Sequence, residues 1–289
     1  MQGRIIKSIS NDYTVLANNK LYVCKPRGKF RNMKVTPLVG DTVVFNDKDN
    51  YILELDKRKN ELVRPPVSNI DQAMIITSVK EPDFSTNLLD KLLVIIEFTN
   101  IKPIICFTKM DLLKENEKAT IYEYIDYYRK IGYDVYFSTE IDKVKALFKN
   151  KITVFTGQSG AGKSTLLNSL DENLNIKTDK ISLALGRGKH TTRHVELIPL
   201  YGGLVADTPG FSAISFSGMT DSDIRDNFIE FNLYRDDCKY KDCMHHNEDD
   251  CAIQDNVKNK TIIKSRYDNY LKFIDKRWIY ENISIFPFY

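Results

Sequence analysis

The octapeptide G-Q-S-G-A-G-K-S, Gly157 to Ser164, leaves little freedom in what surrounds it. The spacing of Gly157, Gly162, Lys163 and Ser164 is that of a phosphate-cradling loop. Such a loop works only between a strand and a helix. Its backbone N–H groups converge on phosphate oxygens, and the helix N-terminus adds a favourable dipole. Both flanks are present. K-I-T-V-F-T precedes the loop with β-branched and aromatic residues, and a helical stretch runs on from Lys163. A chance match in a Gly-Ser loop would lack them. The surrounding chain must therefore supply a parallel sheet for the strand to join.

It does so in an unusual order. Q-A-M-I-I-T-S-V reads as a buried strand, Leu88 to Phe98 as a helix and I-K-P-I-I-C-F as a second strand. A helix is expected over Glu115 to Ile131, with Tyr122, Ile125 and Tyr128 along one side. Y-D-V-Y-F-S is a strand and Ile141 to Lys149 a helix before the phosphate loop is reached. H-V-E-L-I-P-L and G-G-L-V-A-D-T-P-G add two strands after it. Strands alternating with helices predict a parallel sheet with helices on both faces.

Three further motifs bear on a nucleotide. T-K-M-D (Thr108, Lys109, Met110, Asp111) ends a strand and resembles the N-K-x-D loop by which GTPases read guanine. The Asp111 carboxylate would accept from ring and exocyclic N–H groups that adenine does not present, which favours GTP over ATP. Lys109 would lay its stem along the base. Thr108 stands in place of Asn, and a hydroxyl makes fewer bonds than an amide. Ser138 falls where GTPases place a backbone contact to the base. D-T-P-G, Asp207 to Gly210, ends a strand, so Asp207 is placed to hold Mg²⁺ through water and Gly210 to touch the γ-phosphate. G-R-G-K-H-T-T-R, Gly186 to Arg193, lies where GTPases carry a switch whose threonine binds Mg²⁺; Thr191 or Thr192 can play that role, and Thr192 is favoured. In the phosphate loop, Gln158, Ser159, Gly160, Ala161 and Thr165 complete the cradle. Lys163 reaches the β- and γ-phosphates, and Ser164 offers its hydroxyl to Mg²⁺. Phe211 occupies the position at which many GTPases carry a water-orienting Gln, so His190 becomes the candidate for that task.

The two ends of the chain differ from this middle. Residues 3 to 57 read as five short strands separated by turns, which suggests a small OB-type barrel; an SH3-like barrel has a similar pattern. Lys25 to Lys34 carries five cations and no acid, and Arg27, Lys29 and Arg31 are candidates for RNA phosphate contacts with Phe30 available for stacking. The bland alternative is a solvated loop. R-P-P, Arg64 to Pro66, reads as a linker. Beyond Phe216 the chain is expected to be helical to Tyr280 around Cys238, Cys243, His245 and Cys251. Three thiolates and an imidazole close a tetrahedral shell, so a structural zinc ion is expected, contributing on the order of 10 kcal/mol to folding. Cys24 and Cys106, in apolar strands, are expected to be buried thiols.

Taken in this order, the motifs resemble the circularly permuted ribosome-assembly GTPases, the small ribosomal subunit biogenesis GTPase A family. The likeness spans nearly the whole chain, from barrel through T-K-M-D, G-Q-S-G-A-G-K-S-T, G-R-G-K-H-T-T and D-T-P-G-F to C-x₄-C-x-H-x₅-C. Thr108 and Lys189 depart from the usual Asn and Arg. The resemblance implies a multidomain α/β protein: an OB-like barrel over 1–63, a permuted GTPase domain over 64–218 and a zinc-binding helical domain over 219–289. It implies GTP hydrolysis, slow alone and stimulated by the small ribosomal subunit, with Mg²⁺, and rRNA as the surface gripped. Permutation is tolerated because the ends of such a sheet lie close in space. It leads the chain from D-T-P-G straight into the cysteine segment, and nucleotide state is expected to travel along that link.

Composition excludes some classes and not others. With 42% hydrophobic residues the chain folds, and no apolar run approaches a bilayer span. The first residues carry no secretory h-region, so a cytoplasmic monomer is expected, without a membrane partner. A net charge of +3 announces no nucleic-acid partner by itself. From the residues alone, a P-loop phosphotransferase acting on a metabolite and an RNA-binding module with a vestigial nucleotide site stay open.

Overall fold

The computed structural model describes residues 1–62, 66–171, 195–206 and 215–275. Its first part is a closed barrel of β1 (Gln2–Ile9), β2 (Asp12–Ala17), β3 (Lys20–Pro26), β4 (Thr42–Asn46) and β5 (Tyr51–Leu55), with the short α1 (Lys29–Asn32) between β3 and β4. Strand β1 pairs antiparallel with both β2 and β4, and β3 closes the barrel on β5 in parallel. That order, β1-β2-β3-β5-β4, decides for the OB type over the SH3-like alternative. Alternate residues fill the interior: Ile5, Val15, Cys24, Val43, Phe45 and Ile52 are fully buried.

Two-residue strands β6 (Glu61–Leu62) and β7 (Val67–Ser68) pair antiparallel across the expected linker, of which Arg64 and Pro65 lie outside the described residues. Asp41, fully buried, fastens this junction. It accepts from Ser68 Oγ at 2.6 Å and from Arg58 Nε and Nη2 at 2.8 Å each. A buried carboxylate held by a guanidinium and a hydroxyl is satisfied only while barrel and junction stay together.

The second part is a six-stranded sheet built from β8 (Gln72–Ser78), α2 (Thr86–Phe98), β9 (Lys102–Thr108), α3 (Glu115–Lys130), β10 (Asp134–Phe137), α4 (Ile141–Ala146), β11 (Ile152–Gly157), α5 (Lys163–Leu170), β12 (Leu197–Leu200) and β13 (Gly203–Ala206). The strand order is β10-β9-β8-β11-β13-β12. Helices cover both faces. On β8, Ala73 and Ile75 pack with Leu89, Leu92 and Leu93 of α2 and Ile125 of α3, whereas Met74 and Ile76 pack with Val144 of α4 and Leu166 and Leu170 of α5. The sheet is not wholly parallel as the sequence suggested. Strand β12 runs antiparallel to β13. Only Tyr201 and Gly202 join them, both with positive φ (45° and 73°), and so short a turn can only reverse the chain. On α3 the buried stripe is Ile121, Ile125 and Tyr128, while Tyr122 is 44% exposed.

The third part holds α6 (Asp221–Asp226), α7 (Ala252–Lys258) and α8 (Lys264–Ile274) around Phe228, Phe231, Tyr270 and Phe273. It is less helical than expected. Cys238 to Asp250 forms bends and turns, because its side chains converge on one point and a helix would fan them apart. Helix α2 joins parts two and three. Its Leu89, Leu92, Leu93 and Ile96 face the sheet, and Val94 and Ile95 face the third core. A helix apolar on nearly every side is one buried on every side. No helix among the described residues is long and apolar enough to cross a membrane.

Candidate nucleotide site and metal centre

The strands β8, β9, β10 and β11 end side by side, since they are parallel and in register: Ser78 pairs with Thr108, Phe137 with Phe107 and Gly157 with Ile76. The rim beyond their carboxyl ends is where open α/β sheets carry ligands. On it stand the phosphate loop, T-K-M-D and Ser138, brought together from three separate stretches of chain.

Backbone geometry makes the loop. Gly157 has φ +133°, and a Cβ there would lie 2.1 Å from the carbonyl oxygen of Ile76, so nothing larger fits between β11 and β8. Gly162, at φ +94°, turns the chain left-handed just before α5 starts at Lys163. Gln158, Ser159 and Gly160 are exposed, and Ala161 and Ser164 are buried beneath them. The Lys163 ammonium bonds the carbonyls of Gly157 (2.8 Å) and Gln158 (3.0 Å), straddling the loop. Burial lowers its pKa. A partly desolvated ammonium with two carbonyls for neighbours is well placed to neutralise phosphate oxygens.

Thr108 is buried at the end of β9, and its hydroxyl donates to the carbonyl of Ala161 at 2.6 Å. Its hydroxyl hydrogen is therefore spent inside the protein. It ties the base loop to the phosphate loop, a role that a spacing argument does not reveal. Lys109 takes a left-handed conformation (φ 58°) and its ammonium bonds the Glu81 carbonyl. Asp111 then sits in the one-turn 3₁₀ helix Met110–Leu112 with its side chain exposed above the rim. Ser138 follows β10, and its N–H donates to the Phe107 carbonyl at 2.9 Å. His190, Thr192, Asp207, Gly210 and Phe211 lie outside the described residues.

The metal-type cluster is formed as expected from its spacing. One ligand atom from each of Cys238, Cys243, His245 and Cys251 lies within 4.8 Å of all the others. His245 Nδ1 is 3.6 Å from Cys238 Sγ and 3.4 Å from Cys251 Sγ, so Nδ1 is the nitrogen turned to the centre. Burial pushes Cys243 up to about 12, and it holds His245 neutral by lowering it to about 4. Three thiols gathered in apolar surroundings ionise readily only around a cation, and three sulfurs with one neutral imidazole nitrogen make a donor set suited to zinc. The sequence reading missed what holds the cluster. Glu248 folds under the turn and accepts from the N–H groups of Met244 (2.7 Å), His246 (2.8 Å) and Asn247 (3.1 Å). Burial would raise this carboxyl, but those N–H groups keep it below its ordinary value. From α8, the Tyr267 hydroxyl donates to the His245 carbonyl at 2.6 Å and that of Tyr270 to the Met244 carbonyl.

Comparison with known proteins agrees with this architecture. The family model described as RsgA GTPase matches residues 55–217, and that of the RsgA N-terminal domain matches residues 2–52. The chain belongs to the RsgA GTPase family. It is accordingly a GTP hydrolase, which sets aside the metabolite phosphotransferase and the vestigial-site readings. Small ribosomal subunit biogenesis GTPase RsgA of Bacillus pumilus (strain SAFR-032) is 51% identical over 94% of this chain and 96% of its own length. The protein of the same name from Enterococcus faecalis (strain ATCC 700802 / V583) is 48% identical, covering 98% and 99%. Among solved structures, YloQ, a circularly permuted GTPase, is 40% identical with a TM-score of 0.81 over 100% of this chain and 96% of that one. YjeQ from Thermotoga maritima is 30% identical with a TM-score of 0.82, covering 96% and 98%. T-K-M-D here precedes the phosphate loop, and the shared rim explains why that order is harmless: the loops meet at the ends of neighbouring strands whichever comes first.

On the barrel, Arg27 and Lys29 are exposed, and the side chain of Arg31 lies outside the described residues. Phe30 departs from expectation. It is 5% exposed, so its ring packs into the barrel end and presents no open face for stacking. In a four-residue helix capping a barrel, the one large apolar residue faces inward.

Proposed function

We propose that the chain binds the small ribosomal subunit through its flanking parts and that GTP hydrolysis times its release late in subunit maturation. The observation that carries this reading is the setting of the nucleotide rim, with a basic OB-type barrel fastened on one side and a Cys₃His segment on the other. Neither is needed for turnover of a free nucleotide. The relatives named for small-subunit biogenesis support the same partner. The division proposed is 1–63 for the barrel, 64–218 for the GTPase domain and 219–289 for the metal-binding domain, the whole acting as a cytoplasmic monomer.

In this reading Asp111 reads guanine, Lys109 flanks the base and the Ser138 backbone touches it. Gly157 to Thr165 wraps the phosphates, with Lys163 on the outer two. Mg²⁺ would be held by Ser164, Thr192 and Asp207, and would neutralise charge building on the phosphate oxygens. Zn²⁺ would be held by Cys238, Cys243, His245 and Cys251 and would serve folding alone, since four protein ligands leave no open position. Arg27, Lys29 and Arg31 contact rRNA phosphates. Phe211 cannot orient water, and His190 takes that role when the subunit sets the switch segment in place. Completing a GTPase site in this way is worth up to about 10³ to 10⁵ in rate.

The deciding measurement is GTP turnover with and without purified small subunits. Turnover unaffected by subunits would remove the proposed role. His190→Ala should leave GTP and subunit binding near normal and abolish most of the stimulation; stimulation that persists would move the water-orienting group to the RNA.

A further inference from the structure

We infer that the barrel carries a pocket for one unstacked nucleotide of RNA, the base inside and its phosphate on Arg27 and Lys34. The inference rests on the reading of the barrel as an RNA-contacting part, and it adds a discrete subsite to what was otherwise a charged surface.

A cavity of about 600 Å³ opens where the β1–β2 turn, the end of β3 and the chain after α1 meet. That volume is within the roughly 300–1,000 Å³ typical of small-molecule sites. Its lining is graded. Tyr13, Phe30 and Pro37 are buried and give it an apolar floor. Asn11 and Thr36 stand exposed at the mouth, with amide and hydroxyl groups able to bond a base edge. Arg27 and Lys34 are exposed at the same mouth. No carboxylate lines the cavity, and among the described residues neither Arg27 nor Lys34 forms an ion pair.

Each part selects. An apolar floor takes a flat ring that has left its stack. Polar groups at the mouth bond ring nitrogens and exocyclic groups. Two uncompensated cations outside the apolar part match a charge carried beside the ring rather than on it. A nucleotide has this distribution. A free mononucleotide shares it, but the cations stand at the mouth and exposed Lys25 and Lys29 extend positive surface beyond the cavity. A polymer passing over the opening, with one base turned in, engages all four. Readout of unstacked bases is the common mode of single-strand RNA recognition. Phe30 thus contributes to RNA contact as a floor and not as a stacking face.

Two substitutions in the full-length protein test this against a short single-stranded RNA carrying one 2-aminopurine. Gly28 lines the cavity, has no left-handed φ, and a Cβ built on it meets nothing within 4 Å. Gly28→Phe should therefore fold, fill the mouth and lower RNA affinity about tenfold, the worth of one base–aromatic contact. It removes no charge, so the salt dependence should keep its slope. Arg27→Gln should instead shallow the log–log slope by about 0.7, one single-strand phosphate contact. Hydrogen exchange across β1 to β5, unchanged in both, confirms that the barrel is folded. Gly28→Phe with wild-type affinity overturns the pocket while leaving RNA binding by the barrel standing. Nucleoside monophosphates competing as well as the RNA overturn the polymer assignment. Wild-type protein that binds no RNA sinks the pocket and the RNA-contacting barrel together.

Discussion

The Thr108 hydroxyl donates to the Ala161 carbonyl at 2.6 Å, tying the end of β9, which carries T-K-M-D, to the glycine-rich loop before α5. Both groups are buried, so the bond has no competing water. Thr108→Val keeps the shape and orphans the carbonyl, at a cost of about 1–3 kcal/mol shared between stability and loop order. GDP affinity, followed with a fluorescent analogue, should fall several-fold, and Thr108→Ser should restore most of it. Equal affinity in wild type and Thr108→Val would show that the loops hold their positions without the tie.

Asp111→Asn should move preference from guanine toward xanthine. The amide offers a donor where the carboxylate only accepts, and xanthine presents a carbonyl in place of the exocyclic amine. Competition between GTP and xanthosine triphosphate reads the outcome directly. GTP binding that survives unchanged, with no gain for the xanthine nucleotide, would mean that T-K-M-D does not read the base.

Metal analysis should find one zinc per chain, and Cys238→Ser should release it. The loss should melt the turn from Cys238 to Asp250, while the barrel, whose core is separate, stays folded. Hydrogen exchange by segment would separate the two. A zinc-free chain with full protection around Cys243 would contradict the claim.

Arg266 shares one guanidinium between two buried carboxylates. Its Nε and Nη2 meet Glu230 at 2.7 Å each, and Nη1 meets Asp90 of α2 at 2.9 Å. Burial pushes the Asp90 carboxyl above its ordinary value, though Arg266 pulls the other way, and Tyr128 and Asn269 also donate to it, at 2.6 Å each. Both Asp90 oxygens accept, so the amide of Asp90→Asn would set an N–H₂ against the Asn269 donor and should cost about 1–3 kcal/mol. Arg266→Met strands both carboxylates and should cost about 3–5 kcal/mol. Denaturant titration gives both figures. A larger loss in Asp90→Asn than in Arg266→Met would reverse this account of which group holds α8 to α2.

The same contact bears on how nucleotide state would reach the cysteine-bearing part. The sequence suggested the covalent link after D-T-P-G. The described contacts add α2, which packs on α8 and starts just after the Glu81 carbonyl that holds Lys109. Arg266→Met should uncouple exchange protection of α8 from the bound nucleotide; protection that still responds to GDP exchange for a GTP analogue would leave the covalent link as the carrier.

By itself the sequence determined everything that depends on short spacing. Gly157 to Ser164 dictates a strand, a loop and a helix, because only glycine tolerates those backbone angles and only a helix start completes the cradle. Five alternating segments dictate a small barrel. C-x₄-C-x-H-x₅-C dictates a four-point cluster, since its ligands lie close along the chain. The tertiary structure decided whatever depends on partners far away in sequence or on which side of an element faces in. Arg266 finds Asp90 across 176 positions, and no local pattern announces that pairing. Phe30 is inside and Tyr122 outside because each direction depends on what the fold packs against that side of its helix. Thr108 reads as a weaker base contact until Ala161, 53 residues on, is seen beside it. Local spacing fixes backbone conformation, whereas the partner of a buried polar group is chosen by the fold that desolvates it.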